Sequence, residues 1–337
     1  MEPALSVEGL SVRFFVPRGE IQAVRGVSLR LFPGETLALV GESGCGKSVL
    51  CKSILHLLPG SARITSGRIT AQGRDITHLP EREMVKLRGR LFAMAPQNPM
   101  SALNPAIPIG AQVAESVRLR DPGLKRGEVR RRTLDLLFAV GIENPEARFR
   151  QYPRQLSGGL CQRAALAIAL AARPKILLAD EPTTALDATI QAKILDLLGE
   201  IREKLNAGVL LVTHDLGVAA RTADRVAVMY AGKIVETGRV EEIFDHPLHP
   251  YTQALLRCHP ALARPGEPLR TIPGAPPDLL CPPMGDAFAC RNPEALAIDY
   301  EEEPPVFSVT DTHSAAAWRL DPRAARPSGP EEGTYGE

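Results

Sequence analysis

From residue 3 to about residue 31, apolar and polar positions alternate around turn formers such as Pro17 and Gly19. This period of two predicts an antiparallel, hairpin-like start. A short β-rich run, Thr36–Val40, then gives way through a glycine-rich loop to residues 49–58, where apolar positions recur at helical spacing. The order is strand, loop, helix. From about Glu81 to Gln155 the period turns helical and more charged, interrupted by Pro99, Pro105 and Pro108, which predicts an inserted helical subdomain. Further on come a strand-like run over 175–180, a helix around 190–205, a strand from Gly208, and two short strands, 226–230 and 232–238, joined by a turn. Strands alternating with helices imply a mostly parallel sheet covered on both faces. Beyond His246 the texture changes. More than half of the chain's 30 prolines lie there, so few long helices can form, and the final residues, rich in Gly, Pro and charge, read as disordered.

A chain of 337 residues with 44% apolar content can bury a large core, and its length suggests about two domains. The formal charge of +1 gives no strong field, so a nucleic-acid partner held by many phosphate contacts is not indicated. The basic cluster at 125–132 reads as a solvated helix face. The N-terminus carries charge from its second residue and lacks a signal-peptide pattern, so the chain is expected in the cytosol. Its most apolar segment, 164–172, is bounded by Arg163 and Arg173 and falls short of the roughly 20 residues a bilayer needs, so any membrane role must come through partners. Six cysteines without a CxxC pair are, by default, free thiols in a reducing cytosol.

The chemistry concentrates at GESGCGKS, residues 41–48, which fits the phosphate-binding pattern GxxxxGK[ST] between a predicted strand and helix. Gly41, Gly44 and Gly46 let the backbone turn its N–H groups toward phosphate oxygens, with Glu42, Ser43 and Cys45 as intervening loop residues. Lys47 can reach the β and γ phosphates, and Ser48 offers a hydroxyl to Mg²⁺. Residues 176–182 form an apolar strand ending in adjacent carboxylates. Asp180 would hold Mg²⁺ and Glu181 would polarise an attacking water.

A third element, LSGGLCQR at 156–163, lies shortly before that acidic strand. Together with Gln97, the Ala185-Leu186-Asp187 triplet and His214 after the strand LLVT, it resembles the ATP-binding subunit of ABC transporters in every motif and in their order, over residues 3–255. The resemblance implies an α/β P-loop NTPase fold of the ABC ATPase type. That fold has a mostly parallel sheet core, an antiparallel β subdomain and an inserted helical subdomain at about 98–165. It implies ATP and Mg²⁺ as ligands, with Ser157, Gly158 and Gly159 contacting the γ-phosphate of ATP on another subunit in a head-to-tail dimer. The residue types agree, because Ser-Gly-Gly opening a helical run is a second set of N–H donors. Leu160 departs from the glutamine common in the family. The resemblance further implies that His214 holds the γ-phosphate and orients Glu181 and water. The same resemblance implies that Gln97 senses Mg²⁺ and links the site to the helical subdomain, and that Phe14, next to Phe15, stacks on adenine.

HPLHPYTQALL at 246–256, with IPGAPPDLL after it, resembles the extension of the oligopeptide and dipeptide branch, here 256–320, with 321–337 as a disordered tail. Many such extensions carry four cysteines that resemble an iron–sulfur site. Here Asp286, Asn292, Asp299 and Ala317 stand at those positions, so no iron–sulfur cluster is expected. Cys281 and Cys290 are read as neither metal ligands nor a disulfide. Phe288 and Trp318 are expected to anchor a small core. The implied role is the ATP-hydrolysing subunit of an oligopeptide importer, peripheral on the cytoplasmic side of the cell membrane. Its implied partners are two permease subunits, a second related ATPase subunit in preference to a homodimer, and an extracytoplasmic peptide-binding protein. Dipeptides and nickel or other metal chelates are rival cargoes. The rival from another class is a soluble ABC-type ATPase, which would show a long coiled coil or a repeated phosphate loop; the sequence has neither.

Overall fold

The structure is a computed structural model that describes residues 1–184, 186–258 and 271–323. The opening alternation builds strands β1 (Leu5–Val16) and β2 (Gly19–Leu31), paired antiparallel from Leu5 opposite Leu31 to Val16 opposite Gly19. Strand β3 (Thr36–Val40) is buried at every position and leads through the glycine-rich loop into helix α1 (Lys47–Ile54). The helix stops four residues before Leu58. His56 turns left-handed at φ 54°, and the N–H groups of His56 and Leu57 donate back to the Ser53 and Lys52 carbonyls, which satisfies the last turn although Leu57 and Leu58 continue the apolar run. Strands β4 (Ala62–Ala71) and β5 (Arg74–Asp75) rejoin the opening hairpin, making a four-stranded antiparallel sheet in the order β2-β1-β4-β5.

After helix α2 (Glu81–Leu87), strand β6 (Phe92–Ala95) corrects the helical reading of residues 81–155. Its Phe-Ala-Met-Ala sequence has no β-branched residue to signal a strand, and only burial of Phe92 and pairing with a neighbour in the main sheet make it one. Five helices follow: α3 (Pro99–Ala102), α4 (Ile109–Arg120), α5 (Arg126–Ala139), α6 (Pro145–Arg148) and α7 (Gly158–Ala171). Arg126, Arg130 and Arg131 of α5 are exposed, so the basic cluster is a solvated face, while Val129, Thr133 and Leu137 are buried. The apolar run of α7 is buried inside the protein, and among the described residues no helix is long and apolar enough to cross a membrane.

The rest alternates as the period predicts: β7 (Ile176–Asp180), α8 (Ala188–Leu205), β8 (Gly208–Thr213), α9 (Leu216–Thr222), β9 (Arg225–Tyr230) and β10 (Lys233–Arg239). Helices α10 (Val240–Asp245), α11 (Pro250–Arg257) and α12 (Ala297–Glu301) then precede strands β11 (Val306–Ser308) and β12 (Ser314–Ala316). The main sheet runs β11-β12-β10-β9-β3-β8-β7-β6, parallel from β9 to β6 and antiparallel beyond β9. Leu37 and Leu39 face one core layer with α1, whereas Ala38 and Val40 face another that contains Tyr230, Tyr251 and Phe288. A strand covered on both faces has no polar side to show, which is why β3, β7 and β8 are continuous apolar runs.

The proline-rich extension is therefore continuous with the main fold. Phe288, 1% exposed, sits edge-on to Tyr230 and Tyr251 with ring centroids 5.5 and 5.4 Å away, and the buried Trp318 donates Nε1–H to the Glu302 carbonyl at 2.9 Å. Phe288→Ala should cost about 3–5 kcal/mol, read as a lowered urea midpoint; a shift worth less than about 1 kcal/mol would contradict this packing.

Asp286, Asn292, Asp299 and Ala317 are all buried. Asp286, Asn292 and Asp299 accept local backbone N–H groups from Phe288, Glu294 and Leu296, each at 3.0 Å or less. Cys281 and Cys290 are exposed free thiols. Burial pushes the Asp286 carboxyl from its ordinary 3.8 to about 6, against the lowering effect of the Phe288 N–H. The folded chain thus holds this proton more tightly than the unfolded chain, so the stabilising contribution is complete below pH 3.8 and lost as pH rises through 6. Asp286→Asn should remove that slope, gaining stability relative to the parent as urea unfolding is moved from pH 4 to pH 7. An equal slope in both proteins would refute the assignment.

Candidate active site

Strands β3, β8 and β7 lie side by side in the parallel sheet, and their C-terminal ends carry the three chemical motifs. At the end of β3 the chain turns through Gly41, Gly44 and Gly46, with φ of 152°, 81° and 109°. A Cβ on Gly41 would lie 2.1 Å from the Met229 carbonyl oxygen, and one on Gly46 2.3 Å from that of Ala23, so the loop is seated too closely for any side chain at either position. Helix α1 begins immediately afterwards with no side-chain cap, and its first N–H groups face the loop as anion donors. Lys47 is 5% exposed. Its ammonium donates to the Gly41 and Glu42 carbonyls at 2.7 and 2.9 Å and lies 3.6 Å from Cys45 Sγ. Burial raises the Cys45 thiol above its ordinary range, opposed by that ammonium.

Ser48 Oγ donates to Asp180 Oδ1 at 3.0 Å, joining the first turn of α1 to the end of β7. Burial raises the Asp180 carboxyl, opposed by the Ser48 bond and reinforced by the Glu181 charge. Glu181 leaves the strand with a left-handed backbone, φ 50°, its N–H donating to the Val212 carbonyl at 2.9 Å. That conformation is costly for a residue with a side chain and is held by the flanking strands. Glu181 Oε1 lies 3.2 Å from His214 Nδ1, and Oε2 accepts from Thr184 Oγ1 at 3.0 Å. Burial alone would raise this carboxyl, but hydrogen bonds from His214, Thr184 and Gln97 outweigh it and leave it below its ordinary range. Two adjacent buried carboxyls are thus pushed in opposite directions.

The register of β7 against β8, Asp180 opposite Val212, brings His214 beside Glu181. Ser157 stands elsewhere, at the N-cap of α7 in the helical layer, accepting from the Leu160 N–H at 3.3 Å; it and Gly158 are exposed. Gln162 of the same helix donates to the Pro96 carbonyl at 3.3 Å, tying α7 to the Gln97 segment. Asp187 caps α8, accepting from the Ile190 N–H, while Ala185 lies outside the described residues. On β1, Phe14 is half-buried against the core, and Phe15 is 43% exposed beneath the Arg63 guanidinium.

Thr184 and two residues of the C-terminal region were not anticipated. Tyr251 Oη accepts the Glu42 N–H at 2.8 Å, and Arg291 binds the Glu42 carboxylate through both Nη atoms. They lie 209 and 249 residues from Glu42 along the chain, and no local pattern signals such contacts.

Comparison with known proteins agrees with this geometry. A family model described as ABC transporter matches residues 24–184, and one described as Oligopeptide/dipeptide transporter, C-terminal region, matches residues 235–298. The chain is 50% identical to the dipeptide transport ATP-binding protein DppD of Lactococcus lactis subsp. cremoris over 325 residues, 96% of this chain and 93% of that protein. It is 49% identical to the oligopeptide transport ATP-binding protein OppD of Bacillus subtilis over 97% of this chain and 92% of that protein. A solved dimeric bacterial ABC transporter cassette superposes with a TM-score of 0.65 at 29% identity, covering 70% of this chain and 98% of its own. The chain belongs to the ATP-binding subunits of ABC transporters, in the branch that carries the oligopeptide/dipeptide transporter C-terminal region.

Proposed function

We propose that this chain hydrolyses ATP to drive import of oligopeptides, working as one half of a head-to-tail ATPase pair docked on two membrane-spanning permease subunits. The observation that carries the reading is the convergence of the Lys47 loop, the Ser48–Asp180 pair and the Glu181–His214 pair at the ends of three adjacent parallel strands. The loop N–H groups and Lys47 bind the phosphates, the ammonium exchanging the Gly41 and Glu42 carbonyls for phosphate oxygens. Ser48 and Asp180, two hard oxygen donors 3.0 Å apart, fit Mg²⁺, and Gln97, hydrogen-bonded to the neighbouring Glu181, is a third candidate ligand. When bound, that ion neutralises charge on the β- and γ-phosphate oxygens. Glu181, held ionised, accepts a hydrogen bond from the attacking water and takes its proton as the bond from the γ-phosphorus to the bridging oxygen breaks. His214 fixes the Glu181 carboxylate.

Ser157, Gly158 and Gly159 complete the partner's site. The exposure of Ser157 and Gly158 at a helix start, away from this chain's own loop, supports that reading. Closure on ATP and reopening after hydrolysis shift the permease between its states. A second, related ATPase is the favoured partner, with an extracytoplasmic binding protein delivering cargo, and the chain sits on the cytoplasmic side of the cell membrane. Relatives named for dipeptides and for oligopeptides are similar at 50% and 49% identity, which leaves peptide length to the other subunits. Copurification of the N-terminally tagged chain from its host's gently solubilised membranes, with a nonhydrolysable ATP analogue, tests the assignment. Two multi-span proteins, a second ATPase and a peptide-binding protein should be recovered, and a tagged chain found only in the soluble fraction would overturn it.

A further inference from the structure

We infer that Arg291 is a positioning residue for the phosphate loop and that, through Arg291 and Tyr251, the C-terminal extension is energetically coupled to nucleotide occupancy; this rests on ATP binding at residues 41–48. The coupling passes through Glu42, which is engaged on all sides. Its carbonyl receives the Lys47 ammonium at 2.9 Å, and its N–H is given to Tyr251 Oη at 2.8 Å. Its carboxylate accepts two parallel bonds from Arg291, Nη1 to Oε2 at 2.7 Å and Nη2 to Oε1 at 3.0 Å. The motif groups Glu42 with the phosphate-binding residues. In the structure its donor and its carboxylate are committed instead to the segments beyond β10.

Arg291 is built into its place. Nε donates to the Pro273 carbonyl at 2.8 Å, Nη2 to the Ile272 carbonyl at 3.3 Å and Nη1 to Tyr230 Oη at 3.2 Å, while the guanidinium lies 5.8 Å from the Tyr230 ring centroid and 5.9 Å from that of Phe288. Its side chain is 5% exposed. A bidentate pair of this kind has one stable geometry, and losing Glu42, itself a quarter exposed, would strand the buried guanidinium. Tyr251, fully buried, is fixed by rings 4.4 Å away at Tyr230 and 5.4 Å away at Phe288.

The position of the grip decides its consequence. Lys47 must leave the Gly41 and Glu42 carbonyls to reach phosphate, and at that moment the loop loses two of its internal bonds. Tyr251 and Arg291 remain, so they hold the Gly41–Glu42 peptide in the shape that presents the N–H groups downstream. A preorganised loop binds more tightly than one that must be ordered. Because coupling between sites is reciprocal, nucleotide in the loop must in turn steady the extension.

The test uses the full chain and Mg·ATP as probe, reading affinity by equilibrium dialysis and backbone protection by hydrogen–deuterium exchange. Arg291→Gln and Glu42→Gln should each raise the ATP Kd about tenfold, and the double variant should be no weaker than the weaker single one. Arg291→Lys should recover only part of the loss, since an ammonium cannot reproduce the two parallel bonds. In the unaltered chain, ATP should slow exchange at residues 285–296 as well as at 41–48. A purely structural role for Arg291 would lower the melting temperature without that nucleotide-dependent protection. Protection of the loop with residues 285–296 unmoved, a Kd within twofold of the parent, or additive single effects would each overturn the inference. The exchange comparison needs no variant, so it stands even where Arg291→Gln impairs folding. Failure of the unaltered chain to bind ATP at all would instead remove the nucleotide assignment beneath it.

Discussion

Glu181→Gln should leave ATP affinity near that of the parent and slow hydrolysis by at least about 100-fold. The amide keeps an oxygen for Thr184 Oγ1, so the loop geometry survives, but it cannot take a proton from water. Hydrogen bonds from His214, Thr184 and Gln97 hold this carboxyl below its ordinary range against the effect of burial, which favours the ionised form that the base must have. Single-turnover phosphate release alongside a binding titration separates the two effects. A variant that hydrolyses ATP at the parental rate would remove Glu181 from the chemistry, and one that no longer binds ATP would make its role structural.

Lys47→Ala should act on the other half of the cycle. Charge-assisted bonds from an ammonium to phosphate are worth about 1.5–3 kcal/mol, so ATP affinity should fall by about 10- to 100-fold. A second effect is particular to this loop. In the parent, Lys47 donates to the Gly41 and Glu42 carbonyls, and without it the Gly41 oxygen loses that donor while the Glu42 oxygen keeps only the longer bond from the Cys45 N–H, 3.3 Å. The variant should therefore melt at a lower temperature than the parent even with no nucleotide present. Unchanged nucleotide-free melting would show that the ammonium is not seated on those carbonyls, and unchanged affinity would remove it from the phosphate site.

Much of this site was legible in the sequence because it is local. The GxxxxGK[ST] spacing encodes a strand, a turn that needs positive φ and a helix start within a few residues, and the structure has each of them. The carboxylates ending β7 and the histidine after β8 could be read for the same reason. Strand β6 could not, since four residues without a branched side chain carry no period and become a strand only through β7. The opening hairpin was legible as two strands, but its pairing with β4 depends on a partner some 50 residues away. Phe14 and Phe15 show the limit of a motif position: strand geometry sends neighbours to opposite faces, and here Phe14 faces the core and Phe15 the solvent. The contacts of Glu42 were invisible for the plainest reason, because their partners lie 209 and 249 residues further along the chain.

Near the end of that extension β12 is bonded edge to edge with β10, and β11 closes the ladder with three residues. Pulling on it would load rows of backbone hydrogen bonds in shear, together with the ring cluster beneath, instead of stretching a slack tether. A force applied to β12 would therefore reach β10 first and then β9, the strand beside β3 at whose end the phosphate-binding loop begins.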